Sequence, residues 1–278
     1  MMKEEAYAKI NLSLNVIARR PDGYHDLDMI MLPLTLSDTL WMEPAAETTF
    51  ECNVPLPWDE TNTIYKALEV VRKEIGLHAR FRIKLEKRVP MEAGLGGGSA
   101  DGAAALKLIN KLLQFHLSDA SLAYLASKIG SDVPFCIYNR PARVRGTGEK
   151  IEAFNIKKGY DVLLIKPEGG VSTAQAYKKL KLDKCPHPDI DAVMKAVRNH
   201  RKLNGLLGNS LEDSAFALER EIWDIKHECI ALGYENVLMT GSGSTVFVLT
   251  EKGEDISELE KIMKNKYSFV QKCEILTE

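Results

Sequence analysis

The chain has 278 residues, of which 45% are hydrophobic and 27% charged, with a formal net charge of −2. That is an ordinary globular balance, long enough for one large core or two smaller ones, and it gives no support to a general nucleic-acid binder. No run approaches the ~18 apolar residues of a membrane span, and the opening Met-Met-Lys-Glu-Glu-Ala-Tyr-Ala-Lys has no apolar core of the kind a signal peptide carries. Cysteines 52, 136, 185, 229 and 273 lie far apart with no CxxC pair, which leaves zinc and redox motifs unsupported and fits reduced thiols in a cytoplasmic protein.

Residues 5–18 alternate, with Ala8, Ile10, Leu12, Leu14 and Val16 on one face and Tyr7, Lys9, Asn11, Ser13 and Asn15 on the other. Period two predicts a strand, and its polar face suits the lining of a polar site. Residues 19–26 read as a loop around Pro-Asp-Gly. Short strands are expected at 27–34, 38–43 and 48–53, then a helix from Asn62 to Ile75 with Gly76 as its stop. Ala79, Phe81, Ile83 and Leu85 alternate with Arg80, Arg82, Lys84 and Glu86, a second half-buried strand, while the basic cluster Lys84–Arg88 reads as solvated surface.

Helices are expected at 99–113 and 118–129, the second capped by Ser118 and closed by Gly130. Strands follow at 133–138, 142–145 and 149–155. Lys157-Lys158-Gly159 marks a boundary, which divides the chain into 1–157 and 158–278. Beyond it come a strand at 160–166, helices at 174–180 and 189–200, and one helix or two in 210–232. Strands at 237–238 and 245–249, a helix at 255–265 and a strand at 268–275 complete the chain. Strands and helices without regular βαβ alternation predict an α+β protein in two lobes.

Pro90-Met91-Glu92-Ala93-Gly94-Leu95-Gly96-Gly97-Gly98-Ser99-Ala100 is the most informative segment. Its glycines permit tight turns and close approach to a ligand, and a helix of small residues follows. A glycine loop that opens a helix is an anion cradle, because free N–H groups and the helix dipole point the same way. It is not a Walker A loop, since no Gly-Lys-Ser/Thr follows the glycines. Lys107 lies eight residues beyond Ser99, roughly 12 Å up the helix, too far to serve that loop. The Rossmann fingerprint is also imperfect, with serine at position 99 and an amphipathic strand before it.

Pro90-x-x-x-Gly94-Leu95-Gly96-x-Gly98-Ser99 is similar to the phosphate-binding signature of the GHMP small-molecule kinases. Further matches are Ala8-Lys9-Ile10-Asn11-Leu12, Arg20-Pro-Asp-Gly-Tyr-His25, Gly130-Ser-Asp-Val-Pro134, Gly146-Thr-Gly-Glu149 and Thr240-Gly-Ser-Gly-Ser-Thr245. The resemblance implies a GHMP fold with a mixed sheet and helices in the N-terminal lobe and a ferredoxin-like C-terminal lobe. It implies ATP as co-substrate, Mg2+ bridging its oxygens, and phosphorylation of the 2-hydroxyl of a methylerythritol that carries a cytidine diphosphate group. Neither a nucleic-acid nor a membrane partner is expected, and the chain is expected to act as a monomer or homodimer.

The resemblance places Pro90 through Ala100 on the ATP phosphates and Asn62 near adenine, although an Asn before a helix is also a cap. Asp132 aligns with a catalytic aspartate that orients the hydroxyl and takes its proton; a lone Asp in Gly-Ser-Asp is otherwise a turn or cap residue. Lys9, otherwise a solvated charge on a strand, aligns with its partner, holding the aspartate ionised and offsetting phosphoryl charge. Asn11 assists substrate placement, and Tyr24 and His25 read the cytosine. Tyr177 falls where the family places an aromatic on the other side of that base; its helix spacing with Thr173 and Leu180 equally suits the core. Gly241-Ser-Gly-Ser either closes the site or forms a turn. Ser99 is a candidate contact for the metal or a phosphate, while Glu92 and Asp101 are as well explained by the helix dipole. Two departures from the family pattern stand out: Gly102 in place of alanine, and Ser99-Ala100 in place of Ser-Ser.

Overall fold

Two strands dominate the first third of the chain: β1 (Met2–Arg19) and β2 (His25–Pro44), paired with each other. The computed structural model describes residues 1–76 and 78–277. Every residue of β1 from Ala8 to Leu14 is buried, so the polar face is as enclosed as the apolar one. That is tolerable because its polar groups are bonded; Ser13 Oγ, for example, donates to Gly208 O at 2.8 Å.

The two short strands expected at 27–34 and 38–43 are one continuous β2. Nothing between Leu34 and Ser37 supplies a turn. Pro33, which lacks an N–H, offers its carbonyl to Leu276 N at 2.9 Å, and Thr35 Oγ1 accepts Glu274 N at 3.0 Å. After β2 come β3 (Thr49–Cys52), α1 (Thr63–Ile75), β4 (Phe81–Glu86), α2 (Gly97–Leu112), α3 (Asp119–Ser127) and α4 (Val133–Tyr138).

Residues 133–138 are therefore a helix, not the strand expected. A short apolar run carries no periodicity to separate the two, and this one is buried from Val133 to Ile137. Pro134 sits in the first helical turn, where its missing N–H costs nothing. The glycine-led helix starts at Gly97, two residues before the expected 99. Gly130 is not the stop of α3; Lys128 occupies the C-cap, and Gly130 N reaches back to Ala126 O at 3.3 Å.

The remaining elements are β5 (Ala142–Gly146), β6 (Lys150–Ala153), β7 (Tyr160–Lys166), α5 (Thr173–Lys179), α6 (Ile190–Arg198), α7 (Glu212–Phe216), α8 (Arg220–Ala231), β8 (Val237–Met239), β9 (Val246–Glu251), α9 (Ser257–Lys264) and β10 (Phe269–Glu274). The stretch 210–232 thus holds two helices.

The chain forms two compact units, each assembled from separated stretches: 1–8, 36–90 and 96–139 in the first, and 9–35, 91–95 and 140–278 in the second. In the first unit the later half of β2 runs antiparallel to β4, from Thr39 opposite Glu86 to Pro44 opposite Phe81, and β3 lies parallel to β4. Leu40, Met42, Phe81, Ile83, Leu85, Ile64, Leu106 and Phe135 form its interior. A Cβ on Gly102 would stand 3.1 Å from Thr63 Cβ, so the departure from alanine reflects the close approach of α1 and α2.

In the second unit the earlier half of β2 pairs antiparallel with β5, which pairs with β6. A separate antiparallel sheet has the order β10-β7-β9-β8. Counted from β7, the strands stand fourth, first, third, second, which is the ferredoxin-like arrangement expected. Every residue of β7 is buried. Among the described residues no helix is long and apolar enough to cross a membrane.

Candidate active site

Within the second unit, one end of the glycine loop meets β1 and the turn between β8 and β9. Lys9 and Asn11 share a face of β1 and are 4% and 2% exposed. Lys9 Nζ donates to Asn11 Oδ1 at 2.8 Å and to Gly94 O at 3.1 Å, and Lys9 N donates to Leu95 O at 2.9 Å. The lysine is therefore buried and directed, rather than a solvated charge. Asn11 N donates to Thr240 Oγ1 at 2.9 Å, and its side-chain amide points at Met29 Sδ, 3.0 Å away.

Residues 240–245 are a turn, closed by Gly243 N on Thr240 O at 3.0 Å and Thr240 N on Thr245 O at 2.9 Å. The turn also braces the loop. Thr245 N donates to Ala93 O at 3.2 Å, and Thr240 Oγ1 reaches Gly94 O at 3.4 Å. Asn209, fully buried, holds the turn from behind: its Nδ2 donates to Met239 O at 2.9 Å and Gly241 O at 2.8 Å, and its Oδ1 accepts Leu211 N at 2.9 Å. Gly94 has φ +72°, and a Cβ there would lie 2.2 Å from Thr240 O. Both the backbone conformation and the main-chain contact demand glycine.

Also in the second unit, the rings of His25 and Tyr177 stack with centroids 4.9 Å apart and planes 29° from parallel. Tyr177 is half-buried, and its neighbour Ala176 is the fully buried residue of α5. Partial burial, helped by the charge of Arg19, lowers the His25 pKa below the ordinary value. The neutral imidazole offers one donor and one acceptor at neutral pH. Tyr24 is 62% exposed, and its N–H donates to Asp22 Oδ1 at 3.1 Å. Arg20 pairs with both Asp22 and Asp26 at 3.1 Å, bracing the Pro-Asp-Gly loop.

In the first unit, Gly96 takes φ +69° as the N-cap of α2, and Ala100 N donates to Gly96 O at 2.9 Å. The N–H groups of Gly97, Gly98 and Ser99 head that helix, where no intrahelical acceptor exists. Gly98 is exposed and has open space where a Cβ would go, whereas a Cβ at Gly97 would meet Val89 Cγ1 at 2.9 Å. Ser99 is half-buried. Thr63 Oγ1 donates to Gly98 O at 2.5 Å, tying the start of α1 to the same turn.

Asn62 fills the capping role: its Oδ1 accepts Ile64 N at 2.9 Å and Tyr65 N at 3.3 Å, and its Nδ2 donates to Pro57 O at 2.9 Å. Asp132 occupies the N-cap position of α4 but its carboxylate makes no capping bond there. The cap function common for aspartate is thus not the one it performs.

Three charged residues of the first unit were not singled out for the site by sequence reasoning. Lys87, expected among solvated surface charges, has a side chain only 6% exposed. Its Nζ donates to Asp38 Oδ2 at 2.5 Å and Asp101 Oδ2 at 2.8 Å. The signal was the strand parity: Phe81, Ile83 and Leu85 point inward, and position 87 continues that series. Burial pushes the Asp101 carboxyl up to about 7, against the pull of Lys87 and with the push of Asp38. For Lys87, burial works downward, but the two carboxylates outweigh it and its pKa is raised. Asp101 therefore serves an ion cluster, which replaces the helix-dipole explanation.

Among the described residues no group of three or more His, Cys, Asp or Glu side chains could hold a metal ion.

The family model for the GHMP kinases N terminal domain matches residues 62–140, and that for the GHMP kinases C terminal matches residues 182–268. A 4-diphosphocytidyl-2-C-methyl-D-erythritol kinase of Geobacillus sp. (strain WCH70) is 38% identical over 270 residues, which cover 95% of this chain and 92% of that protein. The protein of the same name from Bacillus subtilis (strain 168) is 40% identical over 253 residues, 89% of this chain and 88% of its own. A crystal structure of 4-(cytidine 5'-diphospho)-2C-methyl-D-erythritol kinase superposes with a TM-score of 0.83 at 31% identity, covering 99% of both chains. Homoserine kinase from Cytophaga hutchinsonii shares the fold, with a TM-score of 0.79 at 18% identity over 99% of this chain and 94% of that one.

Proposed function

This chain belongs to the GHMP kinase family, and we propose that it uses ATP to phosphorylate the 2-hydroxyl of 4-(cytidine 5'-diphospho)-2-C-methyl-D-erythritol, a step in non-mevalonate isoprenoid precursor synthesis. The observation that carries the reading is the buried Lys9 ammonium bonded to the Gly94 carbonyl. It ties the cation proposed for catalysis to the loop proposed to hold the nucleotide.

In the proposed reaction the main-chain amides of Gly97, Gly98 and Ser99 bind phosphate oxygens, aided by the α2 dipole. The substrate hydroxyl oxygen forms a bond to the γ-phosphorus as the bond to the β–γ bridging oxygen breaks, and ADP leaves. Asp132 orients that hydroxyl and accepts its proton, which then passes to solvent. A carboxylate is a weak base toward an alcohol, but a loose transition state lets proton transfer come late, so orientation counts for more than basicity. Lys9 offsets the charge on the transferred group, and Asn11 fixes both Lys9 and the turn at Thr240. The Ser99 hydroxyl is the candidate protein contact for Mg2+, which would offset negative charge on the ATP phosphates.

The reading assigns Asn62 a place near adenine in addition to its cap. His25, Tyr177 and Tyr24 form the cytosine site, with the neutral imidazole reading the pyrimidine edge and the aromatic rings giving faces for stacking. The test is a mass-spectrometric assay of Mg-ATP turnover against alcohols with and without a cytidine diphosphate group. Transfer confined to the cytidine-bearing methylerythritol is expected. Equal transfer to homoserine or mevalonate would refute the assignment. Asp132→Asn is expected to lower kcat by about a hundredfold or more while nucleotide binding persists; unchanged turnover would remove Asp132 from the mechanism.

A further inference from the structure

The Asp38–Lys87–Asp101 cluster lies outside the residues assigned above, and its connectivity is specific. Asp38 is fully buried, and its Oδ1 accepts the backbone N–H groups of Arg88 at 2.5 Å and Val89 at 2.8 Å. It thereby fixes the segment that leads into the glycine loop. Its Oδ2 takes Lys87 Nζ, and the same ammonium takes Oδ2 of Asp101, one turn inside α2. The first turn of α2 rests on this ion cluster. A Cβ on Gly97 would stand 3.2 Å from Lys87 Nζ and 2.9 Å from Val89 Cγ1.

We propose that Lys87 is a positioning residue for nucleotide binding: its buried ammonium clamps the segment entering the glycine loop to the helix leaving it. The proposal rests on the reading of that loop as the ATP phosphate site. A direct electrostatic role for Lys87 does not fit, because its side chain is enclosed and two carboxylates claim it. With both acids ionised the cluster is net negative, which by itself would repel phosphate. What it supplies is geometry. The chain from Lys87 to Asp101 closes on itself through one ion pair, so the loop's amides are ordered before the nucleotide arrives. A ligand that meets an ordered loop does not lose affinity to ordering it. Asp101 Oδ1 is buried with no hydrogen-bond partner, a cost of the kind retained where position matters more than stability.

The experiment compares full-length wild type, Asp101→Asn and the double variant Lys87→Met/Asp101→Asn. A non-hydrolysable ATP analogue with Mg2+ is titrated by calorimetry, and amide exchange is followed across 96–101. Above about pH 8, where Asp101 is ionised, the double variant removes one positive and one negative charge together, so the cluster keeps its charge balance, and Asp38 keeps its two backbone partners. If the cluster only balances charge, the double variant binds like wild type. If Lys87 positions the loop, the double variant melts below wild type, because Asp38 loses its ammonium, and in its folded state binds the analogue about tenfold or more weakly. Its exchange accelerates at 97–100 and not elsewhere, and KM for the alcohol is unchanged. Asp101→Asn retains the Lys87–Asp38 half of the clamp and is expected to show an intermediate loss. It supplies the measurement if the double variant does not fold. Binding within about twofold of wild type in a folded variant lacking the clamp would overturn the proposal. Failure of wild type itself to bind the analogue would instead overturn the phosphate-loop reading on which the clamp depends.

Discussion

Replacing Gly94 by alanine puts a methyl group 2.2 Å from Thr240 O and 3.1 Å from Gly243 O. An ordinary carbon–oxygen contact needs about 3.3 Å, so the two backbones must separate by roughly 1 Å. Thr240 O cannot simply recede, because it accepts Gly243 N, and the flanking carbonyls of Met239 and Gly241 are held by Asn209. The residue must also keep φ +72°, which costs a residue with a Cβ about 1–2 kcal/mol. Together these give an expected loss of stability of about 3 kcal/mol. The larger effect falls on catalysis, since Gly94 O is an acceptor for Lys9 Nζ. A displacement of about 1 Å in a positioned catalytic group costs on the order of a hundredfold in rate. Steady-state kcat with saturating Mg-ATP and alcohol, alongside thermal melting, measures both. Gly98→Ala is the control: with open space at that position, its stability should change by no more than about 1 kcal/mol. A Gly94→Ala enzyme that turns over within about twofold of wild type would refute both the collision and the role of Lys9 that depends on it.

Other outcomes follow from the same geometry. Gly102→Ala gains about 1 kcal/mol of helix propensity but loses about 1–3 kcal/mol to overpacking against Thr63; the net effect is a lower melting temperature, and a higher one would show that α1 yields freely. Tyr177→Ala removes the ring stacked on His25 and is expected to raise KM for the cytidine substrate about tenfold while leaving KM for ATP unchanged; equal effects on both would separate Tyr177 from the base. For Asp101 the sign is set by its raised pKa. The folded state favours the protonated acid, so the benefit is complete below the unfolded value and lost as pH rises through about 7. Denaturant titrations should therefore show wild type losing stability relative to Asp101→Asn between about pH 4 and about pH 7, and a difference independent of pH would contradict it.

Much of this was legible in local patterns. The alternation through residues 5–18 located β1 and its polar face, and the glycines at 94–98 located the loop. The ferredoxin-like lobe followed from the family resemblance, not from spacing. Local patterns failed where the deciding contact was distant in sequence. Val133–Tyr138 is apolar on every side, so neither period two nor 3.6 could be read from it. The fusion of the two expected strands into β2 depends on partners around 274–276, far along the chain. Lys87 was hidden by its neighbours: Lys84 and Arg88 are exposed as basic residues usually are, and the residue between them with the inward parity is not. Its partner Asp38 lies 49 positions away, a separation that no window of local sequence spans.

Asn209 gives the molecule a point where one atom type decides the outcome. Its amide is oriented by its neighbours: the nitrogen must face the carbonyls of Met239 and Gly241, and the oxygen must face an N–H. An aspartate in its place would turn oxygens toward two other oxygens in a fully buried position, converting two attractions into repulsions. The change is nearly isosteric and invisible to size or shape, yet it would loosen the turn beneath Gly94. The turn beneath Gly94 thus accepts an amide at position 209 and discriminates against the acid of the same shape.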